Sequence, residues 1–421
     1  MELPDRIAVI GLGYVGLPLA VALARHFEVA GIDRDPDRIA ALRTGRDVTR
    51  EVPDEALAAT SAHFSADPAA MAGAGLFIVA VPTPVDARNA PDLGAVRAAM
   101  EAVGAHLRPG ATVVLESTVY PGATEEVCRP ILERASGLAA GTDFFLGYSP
   151  ERMNPGDREH GLAELTKVVA GETAEVAGML AAVYGKVTGG KVFVARDIRT
   201  AEAAKVIENA QRDINIAFVN EAAMIFNKLG LSAYDVLDAA RTKWNFLPFA
   251  PGLVGGHCVG IDPYYLAHKA AQVGHDPEIT LAGRRINDGM GRYVAQSVHA
   301  ALGKPSDILI LGLAFKENVP DLRNTGVIDI VRALSAAGHA VRVHDAFADP
   351  EEAQRAHGIA LVPDLTGGPY DAVVGAVMHD PYRDLGAADL SRLLRDGGLL
   401  ADVKGMWRGL ALPETVRRWS L

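Results

Sequence analysis

A chain of 421 residues is too long for one ordinary core and predicts two or three domains. With 49% hydrophobic and 22% charged residues it reads as a well-buried globular protein, and a formal net charge of −11 without a Lys/Arg run argues against a nucleic-acid partner. Two cysteines make no disulfide framework, lack metal-ligand spacing and fit a cytoplasmic setting without a metal; the Met1–Arg6 stretch has no signal-peptide layout, and no apolar run approaches the roughly 20 residues of a membrane span.

Ile7 to Ile10 is an apolar run bounded by Gly11 and predicts a buried parallel strand. Gly11-Leu12-Gly13-Tyr14-Val15-Gly16 follows it and opens a helical pattern over 15–27; Val29 to Ile32 is the next strand, ending at Asp33, 22 residues after Gly11. Strand, glycine turn, helix and acidic residue together form a dinucleotide-binding fingerprint. Gly11 allows the turn, Gly13 lets the backbone approach a pyrophosphate, Gly16 lets helix pack on strand, and Tyr14 and Val15 open the helix N-terminus. Asp33 suits the ribose hydroxyl of NAD and repels a 2′-phosphate, while Arg34 and Arg38 keep NADP open.

Leu76 to Val81 predicts a strand leading into Pro82-Thr83-Pro84. Thr112 to Leu115 leads into Glu116-Ser117-Thr118, and Phe144 to Gly147 into Tyr148-Ser149-Pro150-Glu151-Arg152. Strands alternating with helices indicate a doubly wound sheet, which binds ligands beyond its strand ends. Pro82, Thr83, Ser117 and Thr118 are therefore candidate cofactor contacts. Thr118 suits a water or hydroxyl and Glu151 suits acid–base work, although Ser and Thr after strands also serve as helix caps.

From about Thr200 the pattern predicts one long helix, 200–229, and then a shorter one. Lys205 and Asn209 stand at i and i+4, on one face, where they suit an oxyanion; a snorkelling lysine is the alternative. Such a helix between two α/β halves is a natural linker and dimer surface. A glycine-rich loop follows over 250–263, with Gly255-Gly256-His257-Cys258-Val259-Gly260-Ile261-Asp262 at its centre. Three glycines around Cys258 argue against a core thiol, and a thiol with a reference pKa of about 8.5 needs a lysine or helix N-terminus to ionise it. Adjacent side chains usually point apart, so His257 is not expected to be the direct base of Cys258; Asp262 is either polar machinery or a turn residue before Pro263. Cys128, within the helical stretch Thr124 to Leu132, is assigned to packing. Helix continues to about Leu302.

A second α/β unit starts near Asp307, where Ile308-Leu309-Ile310-Leu311-Gly312 repeats the opening at residue 7 and Val341 to His344 with Asp345 echoes the second strand. The repeat lacks the three glycines and is not expected to bind a second dinucleotide in the same way. Lys316 and Arg323 flank its first loop, as phosphate or cofactor ligands or simply as solvated charges. The whole predicts an α/β chain of two Rossmann-like doubly wound domains joined by a long central helix: 1–199, 200–302 and 303–421.

A thiol beside a hydride acceptor can capture an aldehyde, pass on a hydride and release an acid. The ordered motifs GLGYVG (11–16), ESTVYPG (116–122), SPER (149–152), AEAAKVIEN (201–209), GGHCVGID (255–262) and GLAFKENVPDLRNTG (312–326) resemble the UDP-glucose/GDP-mannose dehydrogenases over nearly the whole chain. Thr242 to Phe249 is similar to the subgroup acting on UDP-N-acetylhexosamines, the Vi-polysaccharide and O-antigen type. The resemblance implies two-step, NAD-dependent oxidation of the sugar C6 alcohol to a uronic acid through a thioester. It implies Cys258 as nucleophile, Lys205 and Asn209 at the oxyanion and sugar, and Asp262 and Thr118 on a water. Glu151 and Arg152 would serve hydrolysis and sugar binding, Gly255, Gly256, Phe315 and Lys316 the substrate, Arg323 the cofactor, and Arg241 the neighbouring subunit's substrate in a homodimer. Glucose-specific relatives carry a second glutamate where this chain has Pro155. A one-step β-hydroxyacid-type dehydrogenase using Lys205 and Asn209, or a non-catalytic nucleotide-sugar-binding protein, are the alternatives; both leave the thiol unexplained.

Overall fold

The structure, a computed structural model, describes residues 2–153, 161–256 and 258–421; Pro155 and His257 lie outside the described residues. The chain forms two compact units, Met1–Glu208 with Tyr264–Asp276, and Asn209–Pro263 with Pro277–Leu421.

Eight strands form the sheet of the first unit: β1 (Arg6–Ile10), β2 (Glu28–Ile32), β3 (His63–Ser65), β4 (Leu76–Val79), β5 (Thr112–Leu115), β6 (Phe145–Tyr148), β7 (Lys167–Gly171) and β8 (Val192–Val194). Their order is β3-β2-β1-β4-β5-β6-β7-β8. β1 to β6 are all parallel, in the order of a doubly wound dinucleotide fold, and the order reverses between β1 and β4. Helices cover both faces of such a sheet, which is why Ile7 to Val9 and Leu76 to Val79 are fully buried and read as unbroken apolar runs. β7 pairs antiparallel to β6 and β8 parallel to β7, an extension that the strand pattern did not predict.

Two predicted elements are shorter than expected. The first helix spans Gly16–Leu23, not 15–27; Phe27 packs against the same core from the following turn, so its apolar spacing mimicked further helix. β4 ends at Val79 because the Val81 amide donates to the Ser117 hydroxyl instead of to the ladder.

In the second unit β9 (Asp307–Leu311), β10 (Ala340–His344), β11 (Tyr370–Gly375), β12 (Leu394–Asp402) and β13 (Arg417–Ser420) make an all-parallel sheet in the order β10-β9-β11-β12-β13, the other common doubly wound order. The internal repeat extends to hydrogen bonds. Gly11 (φ +92°) and Gly312 (φ +97°) each donate at 2.8 Å to the last residue of the neighbouring strand, Ile32 and His344. The next amide is held by an aspartate in both copies: Leu12 by Asp33 at 2.9 Å and Leu313 by Asp345 at 2.6 Å. Beyond that the copies diverge, since Ala314 and Glu317 stand where the first has Gly13 and Gly16.

The long helix is Ile198–Lys228, 31 residues without Pro or Gly and roughly 46 Å of rise, stopped by Gly230 in the left-handed region (φ +71°). Two further helices, Asp262–Gln272 and Glu278–Leu302, replace the continuous stretch expected up to Leu302; Pro277 stands between them. Among the described residues no helix is long and apolar enough to cross a membrane.

Candidate functional site

In the first unit the glycine turn sits where the strand order reverses. A Cβ on Gly11 would run into the Ala80 carbonyl, and one on Gly16 into the Gly11 carbonyl. At Gly13 nothing lies within 4 Å of an added Cβ, so its bare backbone faces open space, as an approaching pyrophosphate requires. Each Asp33 carboxylate oxygen accepts one loop amide, from Leu12 at 2.9 Å and Asp35 at 3.0 Å, and keeps a further lone pair for a ribose hydroxyl. The Arg38 guanidinium has a different post. Buried, it donates to the Leu12 carbonyl at 2.8 Å and pairs with Asp47 at 2.7 Å, so it braces the glycine turn from behind, and a 2′-phosphate would have to compete with Asp47 for it. These residues fit NAD.

The loop with Pro82 and Thr83 is fastened on two sides. The Ser117 hydroxyl donates to the Val81 carbonyl at 2.7 Å, and the Tyr265 hydroxyl reaches the Thr83 carbonyl at 3.0 Å. Thr118 is half-buried just past β5. Glu151 is buried, and one of its oxygens accepts the Arg152 amide at 2.7 Å. Arg152 itself pairs with Glu208 at 2.8 Å.

On the long helix Lys205 and Asn209 are both buried, unlike snorkelling residues. One turn earlier Glu202 holds the ESTVYPG segment, accepting from the Gly122 amide at 2.5 Å and the Thr124 hydroxyl at 2.7 Å. Burial outweighs these donors and pushes its carboxyl up to about 7, from 4.5. The folded state therefore favours protonated Glu202. Its contribution to stability is complete below about 4.5 and is lost as the pH climbs to about 7, a change of about 3 kcal/mol. Urea unfolding of wild type and Glu202→Gln between these pH values is expected to show that slope in the wild type and a flatter line in the variant.

Of the two thiols, Cys128 belongs to the first unit and Cys258 to the second. Cys128 is buried and its thiol is pushed up to about 12 by desolvation and by Glu202, as suits a packing residue. Cys258 is half-buried. Its carbonyl accepts the Ile261 and Asp262 amides at 3.1 and 2.9 Å, closing the turn that leads into helix Asp262–Gln272. The thiol thus stands just ahead of a helix N-terminus, where the dipole favours a thiolate. The buried Asp262 carboxylate accepts from the Asn209 amide at 2.5 Å, joining two residues that lie 53 positions apart.

Behind the turn is a buried polar lattice. Asp213 accepts from Arg284 at 2.5 Å and from Asn287 at 2.7 Å. Asn220 clasps Gly252 through both backbone groups, at 3.0 and 2.8 Å, and a Cβ on Gly260 would come within 3.7 Å of the Arg284 guanidinium. In front, the Gly256 amide donates to the Arg323 carbonyl at 3.3 Å, and a Cβ there would stand 2.6 Å from the Phe315 ring. Gly256 also has φ +82°. Gly256→Ala is accordingly expected to cost about 1–2 kcal/mol of stability through its backbone and roughly 100-fold in kcat through displacement of Cys258, read by urea unfolding and steady-state assay.

Lys316 is half-buried on the same loop as Phe315. The Arg323 guanidinium is engaged by Asp321, at 2.8 Å through Nε. Arg241 donates to the Phe249 carbonyl and pairs with Asp238 at 3.1 Å, while nearby Trp244 is 92% exposed. Sequence reasoning missed Lys404, just past β12. Burial lowers its ammonium pKa, with only Glu317 acting the other way, and its Nζ lies 2.9 Å from where a Gly252 Cβ would be. The available signal was a lysine directly after Leu399-Leu400-Ala401-Asp402-Val403, a strand-like run with Asp402 as its one other charge. Among the described residues no three His, Cys, Asp or Glu side chains gather as metal ligands.

Known proteins resemble this chain in sequence and fold. Three models of one family match in succession, all of the UDP-glucose/GDP-mannose dehydrogenase family: the NAD binding domain over residues 5–188, the central domain over 199–289 and the UDP binding domain over 309–409. A UDP-N-acetyl-D-glucosamine 6-dehydrogenase of Pseudomonas aeruginosa is 48% identical over 95% of this chain and 96% of its own. One of Salmonella typhi is 47% identical over the same shares. The structure of a UDP-D-ManNAc dehydrogenase from Pyrococcus horikoshii aligns with a TM-score of 0.88 at 28% identity, covering 98% of both chains. With the glycine turn shaped for NAD, a thiol at a helix start and all three domain models matched in order, the chain belongs to the UDP-glucose/GDP-mannose dehydrogenase family, enzymes that depend on NAD.

Proposed function

We propose that this enzyme oxidises the C6 alcohol of a UDP-N-acetylhexosamine, preferring UDP-N-acetylglucosamine, to the uronic acid with Cys258 as covalent catalyst. The Cys258 turn carries the reading: a half-buried thiol at a helix N-terminus, with Asp262 and Asn209 hydrogen-bonded beside its backbone. The preference for the glucosamine sugar follows the 48% and 47% identical relatives, since relatives near 31–33% carry N-acetylmannosamine or N-acetylgalactosaminuronic acid names.

Overall, one alcohol, two NAD⁺ and one water give one carboxylate, two NADH and three protons. NAD, when bound, supplies the hydride acceptor in both oxidations. The chain's own residues do the rest. Lys205 and Asn209 stabilise negative charge on the reacting oxygen. The Cys258 sulfur bonds to C6 of the aldehyde, which keeps that intermediate on the enzyme until it becomes a thioester. Asp262 and Thr118 hold the water, and Glu151 takes its proton during hydrolysis. Gly255, Gly256 and Phe315 shape the substrate side of the loop, and Lys316 and Lys404 supply cations for the diphosphate. Arg152 and Arg241 complete the sugar-nucleotide contacts, and Arg323 assists with NAD.

The segments 1–199, 200–302 and 303–421 would respectively hold NAD, carry the thiol loop with the dimer face, and hold the UDP moiety. Phe218, Ile225 and Leu229 repeat along one face of the long helix and its end at 65%, 51% and 66% exposure, a stripe that a second copy would cover in a cytoplasmic homodimer. The test is a panel of UDP-sugars followed by absorbance of reduced nicotinamide, with light scattering for the mass in solution. UDP-N-acetylglucosamine is expected to give the highest kcat/KM. Turnover of UDP-glucose alone would overturn the substrate assignment.

A further inference from the structure

A buried ionic cluster lies behind Glu151, and all its members belong to the first unit. Glu116 ends the apolar run of β5, Lys167 begins β7, and Tyr184 comes from helix Ala174–Val187. Glu116 and Lys167 are 0% and 2% exposed, and Glu151 is 8% exposed. The Lys167 ammonium lies 2.9 Å from Glu116 and 3.6 Å from Glu151, on the Glu151 oxygen that does not take the Arg152 amide. The Tyr184 hydroxyl donates to the other Glu116 oxygen at 2.5 Å, and its ring sits under the Lys167 ammonium at 5.4 Å. Here one cation serves two carboxylates in a place from which water is excluded. Such a group is costly to bury, and this placement gains nothing that an apolar core would not supply better. Its geometry has one evident product, a fixed Glu151 carboxylate.

We propose that Lys167, anchored by Glu116 and Tyr184, is a positioning residue for Glu151 in the acid-forming step. This rests on the reading that Glu151 serves thioester hydrolysis. In that step the water oxygen bonds to the thioester carbon and one water proton passes to Glu151. The C–S bond breaks with its electron pair left on sulfur, and the Glu151 proton later returns to the thiolate; no electrons enter or leave. Lys167 fixes the place of the Glu151 side chain that takes the proton. Among the described residues the charged and titratable groups shown around Glu151 are Lys167 from β7, Glu116 from the end of β5, Tyr184 from its helix, and the adjoining Arg152, which is paired with Glu208. Burial, together with the neighbouring carboxylates, keeps the tyrosine protonated and a donor.

The test uses the full-length enzyme with the Lys167→Met/Glu116→Gln pair, because Lys167→Met alone strands a buried carboxylate and threatens folding. Tyr184→Phe, which keeps the packing, is the second variant. In the double variant kcat is expected to fall roughly 10- to 100-fold with little change in KM for the sugar nucleotide. A uronyl adduct should accumulate on the intact protein during turnover, detected by mass. Tyr184→Phe should show a smaller fall in kcat and less adduct. Wild-type kcat without adduct in either folded variant overturns the proposal. Glu151→Gln separates the two layers: adduct there but not in the double variant removes the role of Lys167 alone, whereas no adduct in Glu151→Gln removes the reading of Glu151 itself.

Discussion

Cys258→Ser is expected to abolish uronic acid formation, lowering kcat for the complete reaction by at least about 10⁴-fold, as loss of a covalent nucleophile does. The substitution is nearly isosteric and the turn is held by backbone bonds to Ile261 and Asp262, so folding and NAD binding should survive. What changes is ionisation. The thiolate is the attacking form of a cysteine, and a serine hydroxyl has no comparably accessible anion. The aldehyde would then lack a sulfur to hold it. Rapid mixing with a UDP-N-acetylhexosamine should reveal the first hydride transfer without the second. Full turnover in this variant would remove the thiol from the mechanism. Cys128→Ser should leave activity intact, since that thiol is buried in packing.

The second large effect concerns the support of the loop. Arg284→Leu is expected to destabilise the protein by about 3–5 kcal/mol, because it strands Asp213, a fully buried carboxylate, without its ion pair. Asn287 would still donate to Asp213 but cannot replace a charge. Pairing the change with Asp213→Leu should recover much of the loss, since an apolar pair of similar volume avoids the desolvation cost. Activity should fall in both variants, because Gly260 rests near the Arg284 guanidinium and Asn287 bonds to the Asn220 that clasps Gly252. Urea unfolding of the single and double variants measures the effect. A single variant within about 0.5 kcal/mol of wild type, the range of ordinary surface changes, would mean that the lattice bears no stability.

Local patterns made much of this legible. An all-parallel sheet buries both faces, so its strands appear as apolar runs, and a pyrophosphate site needs glycines at fixed offsets. The two doubly wound units, the long helix, the Gly11–Gly16 turn and the glycine loop around Cys258 were therefore readable from sequence. The internal repeat was readable too, including the echo of Asp33 at Asp345, but that both carboxylates hold matching amides is seen only in the structure. Pairings between distant residues were not. Nothing in the period of the chain announces that Asn209 meets Asp262, that Lys167 reaches Glu116 across 51 positions, or that Lys404 lies against Gly252. β7, which begins at Lys167, was missed because its four apolar and small residues are too few for a periodicity signal. Arg38 shows the converse. As an arginine near a phosphate site it could meet a phosphate, and the structure adds that its guanidinium also pairs with Asp47 and donates to the Leu12 carbonyl, contacts that spacing does not announce.

The proposed covalent retention of the aldehyde on Cys258 makes a numerical demand: two hydrides would have to leave each sugar before any product leaves the enzyme. With limiting UDP-N-acetylglucosamine and excess NAD⁺, the protein should form two NADH per uronic acid released, with no aldehyde captured by a hydrazine probe in solution. One NADH per sugar, accompanied by trapped aldehyde, would contradict the mechanism at its centre.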